Sequence, residues 1–65
     1  MKTPQESGAI LRKLRGSRTL KQVAGDLGIS WQALQSYENG IRSPRDPKKA
    51  LIAEYYKKTI TDIFF

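Results

Sequence analysis

The stretch Thr19–Gly40, TLKQVAGDLGISWQALQSYENG, decides the fold. Thr19 is a good N-cap. After it Leu20, Val23, Ala24 and Leu27 fall on one side of a helix, while Lys21, Gln22, Gly25 and Asp26 fall outside that arc. Gly28 supplies the left-handed residue that stops this helix. Ile29 can enter the core from the turn, and Ser30 caps the next helix almost at once. Two helices joined this tightly must turn sharply, which is the geometry of a helix-turn-helix over residues 19–38.

The helix from Trp31 to Glu38 is divided into two sides. Ala33, Leu34 and Tyr37 face inward, and Gln32, Gln35, Ser36 and Asn39 fill the opposite arc. That outer row contains no lysine and no glutamate. Amides and a hydroxyl both donate and accept, so they suit base edges in duplex DNA, and glutamine can pair bidentately with adenine. The plainer reading of the same row is a neutral solvated face. Trp31, in the first turn, either packs on a thymine methyl or sugar or shields the protein's own turn.

Working outward, Met1–Pro4 reads as a short disordered lead, with Thr3 before Pro4 suited to open a helix over Gln5–Arg15. Ile10, Leu11 and Leu14 form its buried stripe, and Gly16-Ser17 ends it. Beyond Asn39-Gly40, the run Ile41–Asp46 is a loop with two arginines, and Pro47 opens a helix that continues to Lys57. Ile52, Ala53 and Tyr56 make its core stripe. Leu51 and Tyr55 carry apolar character to another side, which calls for cover by Phe64 or for a dimer contact. Thr59 with Asp62 resembles a capping box, opening a last turn over Ile60–Phe64. No stretch alternates with period two. The expected fold is therefore all-α, a compact bundle of about five short helices in one domain spanning residues 1–65.

Composition narrows the partners. Twelve Lys and Arg against six Asp and Glu give a net charge of +6, which favours a polyanion. Nucleic acid comes first and an anionic membrane surface second, with solvated lysines as the unspecific explanation. Cysteine and histidine are both missing, which excludes disulfides, the usual zinc ligand sets and histidine-based catalysis. The carboxylates are scattered, and the glycines sit at helix ends instead of in a phosphate-cradling loop. The expectation is no enzyme, no catalytic residue, no metal, no cofactor and no small-molecule substrate. No run approaches the roughly 20 apolar residues of a membrane span, and MKTPQESG has no signal-peptide core, so a cytoplasmic protein that does not engage membranes is expected. The length leaves no room for a sensor domain, so control by abundance, proteolysis or a partner protein is favoured.

The ordered set LRKLR, TLKQVAGDLGIS, LQSYENGIRSPRD, LIAEYY and DIFF resembles the Cro/C1-type (XRE) helix-turn-helix family, over Leu11 to Phe65. Its most specific element is Ser30-x-x-x-Leu34-x-x-Tyr37-Glu38-x-Gly40-x-x-x-Pro44. The chain is similar in particular to short single-domain phage or mobile-element regulators of Gram-positive bacteria. The resemblance implies a lambda-repressor-like bundle whose third helix enters the major groove while the second lies across it. It places base reading on Trp31, Gln32, Gln35 and Ser36, and phosphate contacts on Thr19, Lys21, Asn39, Arg42 and, as a weaker addition, Arg45. It also pairs Glu38 with an arginine near the end of the first helix, best matched by Arg15. The implied activity is that of a transcriptional repressor occupying a palindromic operator in double-stranded DNA as a homodimer. Leu51, Tyr55, Phe64 and Phe65 are the candidate dimer contacts. An antitoxin, or a protein-interaction module on the same fold with another protein as its main partner, is the alternative.

Three positions depart from the family pattern. Leu20 stands where the family often has a glutamine that buttresses the third helix or binds phosphate. The Gly16-Ser17-Arg18 link is shorter than usual, which would let Arg12 take over the pairing with Glu38. Lys57 and Lys58 stand where a glycine and an apolar residue are common, at the corner into the last helix.

Overall fold

A computed structural model describes the whole chain, Met1–Phe65. Threonines fix where three of the helices start. Thr3, Thr19 and Thr59 each accept a hydrogen bond from the amide of the third residue onward, Glu6, Gln22 or Asp62, at 3.0–3.1 Å. Each of those side chains in turn accepts from the threonine amide at 2.9–3.2 Å. These reciprocal boxes satisfy amides that a helix start leaves unpaired. They open α1 (Pro4–Arg15), α2 (Leu20–Leu27) and α5 (Ile60–Phe64). Ser30 alone caps α3 (Trp31–Glu38), accepting from the Ala33 amide at 3.1 Å, and α4 (Asp46–Tyr55) follows the Arg45 N-cap without a side-chain bond.

The helix ends repeat one device. At Gly28, Gly40 and Lys57 the chain turns left-handed, with φ of 71°, 73° and 58°. In each case the following amide reaches back to the carbonyl five residues earlier: Ile29 to Ala24, Ile41 to Ser36 and Lys58 to Ala53, at 2.9–3.0 Å. Two of these caps use glycine; the third forces a lysine into the glycine conformation. That early stop ends α4 at Tyr55, short of the expected Lys57, with Tyr56 as its C-cap. The lead is also shorter than its sequence suggests. Pro4 is already helical, Thr3 is the N-cap, and Lys2 Nζ donates to the main-chain oxygens of Thr61 and Phe65 at 3.1 and 3.0 Å.

The core consists of Leu11, Val23, Ala24, Leu27, Leu34, Tyr37, Ile52, Ala53, Ile63 and Phe64. α1 packs on α3 and α5, α2 on α3 and α4, and α4 on α5. The α1–α3 contact is the most extensive. A Cβ at Gly8 would stand 2.3 Å from the Glu38 carbonyl oxygen and 2.6 Å from that of Tyr37, so only glycine lets the two backbones approach this far. No helix is long and apolar enough to cross a membrane.

Lys57→Gly should raise the unfolding free energy by about 1 kcal/mol, because the left-handed conformation costs a side-chain-bearing residue about that much. Thermal melts should show Tm higher by about 4–8 °C in a domain of this size. An unchanged or lower Tm would contradict the assignment of strain to this corner.

Candidate nucleic-acid interface

α3 presents Gln32, Gln35 and Asn39 to solvent at helical spacing, while Leu34, Tyr37 and Glu38 are buried beneath them. Gln32 and Gln35 side chains make no hydrogen bond within the chain, so their donors and acceptors are free for a ligand. Ser36 is half-buried, at the margin of this face. Trp31 is 37% exposed, so most of its surface is covered by the protein itself and the rest is presented to solvent. Both readings of this tryptophan therefore keep a structural basis.

The only acid on α3 is removed from that face. Glu38 is 2% exposed at its side chain and receives Arg15 Nε at 2.8 Å and Arg15 Nη2 at 3.0 Å. The bidentate fork raises the Arg15 pKa through this hydrogen bonding, opposed by desolvation. Arg15 Nη1 also donates to the Arg18 carbonyl at 2.6 Å, so the short Gly16–Arg18 link wraps around the same guanidinium. Arg15 therefore holds the pairing. Arg12 approaches Glu38 only to 3.9 Å and donates instead to Asn39 Oδ1.

The expected phosphate residues flank α3. Thr19 uses its oxygen as a cap, leaving its hydroxyl proton free, and Lys21 is exposed in the first turn of α2 with no ion-pair partner. The amides of Ile41 and Arg42 both reach back to the Ser36 carbonyl, at 3.0 and 3.3 Å, which seats the Arg42 loop against the end of α3. Arg42 and Arg45 are exposed. Leu20 is half-buried and packs against the core, so its position contributes no polar group to this face.

Sequence patterns missed a second network behind the helix-turn-helix. Arg18 Nη1 donates to Tyr55 Oη at 3.0 Å, and that hydroxyl donates to Asp26 Oδ2 at 2.7 Å. The Arg18 guanidinium also lies 5.5 and 5.6 Å from the ring centres of Tyr55 and Tyr56. This ties the α1–α2 link and α2 to α4. The hydrogen bond to Asp26 holds the Tyr55 hydroxyl pKa above its usual range. Tyr56 has a buried hydroxyl with no hydrogen-bond partner, and burial, with the Glu38 charge second, pushes its pKa up to about 12.

The four candidate dimer residues do not form one surface. Phe64 is 4% exposed and belongs to the core, and the Tyr55 hydroxyl is occupied by Asp26 and Arg18. Leu51 and Phe65 are exposed. Lys49, whose ammonium lies 5.2 Å from the Phe65 ring centre, is about 200° around α4 from Leu51, so these two face different sides. The patterning could not separate them because helix α4 is short and apolar on several sides.

The second helix of this helix-turn-helix offers the unpaired amides of Gln32 and Gln35, with the exposed cations Lys21, Arg42 and Arg45 in the segments before and after it. A family model described as Helix-turn-helix matches residues 10–63, and the chain belongs to this Cro/C1-type family of DNA-binding regulators. The searches of characterised proteins and of solved structures gave no match.

Arg15→Met should cost about 3–5 kcal/mol in urea unfolding, since it strands a buried carboxylate. Adding Glu38→Met should recover most of that loss; a double variant as unstable as Arg15→Met would refute the clamp. Tyr56 yields a test at high pH. Its folded pKa lies above the unfolded value of about 10, so its contribution is complete below that pH and is lost as pH rises through about 12. Tyr56→Phe should therefore lose less stability than wild type between about pH 10 and 12, and the last step of the phenolate absorbance titration should disappear.

Proposed function

We propose that the protein is a sequence-specific transcriptional repressor that acts by occupying an operator. The observation that carries this reading is the outer face of α3, where Gln32 and Gln35 have no internal partner and the helix's one carboxylate is buried. Gln32, Gln35, Ser36 and the exposed part of Trp31 read base edges in the major groove. Lys21, Thr19, Asn39, Arg42 and Arg45 meet phosphates on either side and supply the salt-dependent affinity.

One such module reads only a few base pairs, so two copies on a palindrome would combine their readouts. Successive major grooves on one face of the duplex lie about 34 Å apart. The Cα envelope measures 28 × 22 × 21 Å, so with side chains two copies at that spacing come close to each other. The exposed apolar residues are few and divided between sides, which favours pairing on DNA over a tight free dimer.

Selection of bound sites from random double-stranded DNA tests the reading. A palindromic site with half-sites about 10 base pairs apart is expected. Replacing Gln32 and Gln35 by Ala should then reduce the preference for that site by about 10-fold or more, with folding stability unchanged within about 0.5 kcal/mol. Binding without sequence preference, or a preference untouched by the double substitution, would overturn the assignment in favour of a protein-interaction module.

A further inference from the structure

Arg12 and Asn39 make a contact that neither the core nor the ion pair requires. Asn39 is the C-cap of α3 and exposed, and its Oδ1 accepts from Arg12 Nη2. Glu38 already has both oxygens served by Arg15, and Arg12 stands 3.9 Å away from it. The arginine's one hydrogen bond is therefore to Asn39, with Glu38 at the outer limit of an ion pair, while its side chain stays 58% exposed.

The chemistry of the pair fixes an orientation. A guanidinium has donors only, so the Asn39 atom facing Arg12 must be the carbonyl oxygen. The Asn39 NH2 group is then turned away from α1. A phosphate has acceptors only: an amide presenting its NH2 binds it, and one presenting its oxygen repels it. Gln32 and Gln35 lack any such restraint and can rotate to suit donor or acceptor edges of bases.

We propose that Arg12 is a positioning residue for binding the DNA backbone: it locks the Asn39 amide with Nδ2 outward, ready for a phosphate oxygen. The proposal rests on the reading of Asn39 as a phosphate contact. Its benefit is preorganisation, because the orientation is set before DNA arrives.

Two measurements test it. In the free wild-type protein, side-chain amide relaxation by NMR should show Asn39 more ordered than Gln32 and Gln35, and Arg12→Met should release it. An Asn39 amide as mobile as those glutamines overturns the proposal and leaves the DNA-binding reading intact. The second is a double-mutant cycle on a random-sequence duplex, where backbone contacts act without an operator. Arg12→Met and Asn39→Ala should each weaken binding by about 10-fold, and the double variant by little more than either. A full Arg12→Met loss persisting in the Asn39→Ala background makes Arg12 an independent phosphate contact and overturns the proposal. Failure of the wild type to bind any duplex overturns the DNA-binding reading and the proposal together.

Discussion

The buried pairing of Arg15 with Glu38 is the constraint on which the rest depends. A carboxylate 2% exposed is tolerable only with both oxygens satisfied, and one guanidinium satisfies both. The geometry demands that α1 pass directly over the end of α3, and Gly8 permits it by having no Cβ to strike the Tyr37 and Glu38 carbonyls. The same pairing removes the only negative charge of α3 from the neighbourhood of its outer face. Stability of the bundle and suitability for a polyanion thus share one interaction.

The helices are 5 to 12 residues long, too short to hold in isolation. Their boundaries are set by side chains and glycines at the ends, and their persistence by a core of ten side chains. Because Thr3, Thr19 and Thr59 form the same reciprocal box, the Glu6 and Asp62 carboxylates are held below their usual pKa range by backbone hydrogen bonds from Thr3 and Thr59. The acids of this basic chain are largely engaged in holding its own structure.

The cations behind the net charge of +6 differ in what they meet. Arg15, Arg18 and Lys2 are used internally, as a clamp, as a bridge to Tyr55 and as a tie to the last helix. Lys21, Arg42 and Arg45, in the segments before and after α3, have no partner within the chain, as do Lys13, Lys48, Lys57 and Lys58 elsewhere. Total charge alone could not have separated them, since the distinction lies in which cations meet acceptors after folding.

The sequence by itself determined the helix order, the tight Gly28 turn, the Thr59–Asp62 cap and the division of α3 into inner and outer sides. These follow from local chemistry: capping residues, left-handed glycine and a 3.6-residue period act over a few positions and leave a pattern. Only the tertiary structure decided that Gly8 is a contact point, that Lys57 takes a glycine's conformation, that Phe64 is core and that Arg18, Tyr55 and Asp26 join three segments. Apart from the local cap at Lys57, those outcomes depend on which surfaces meet between segments distant in the chain, and a helix with several apolar sides, such as α4, carries no local mark of which side is covered.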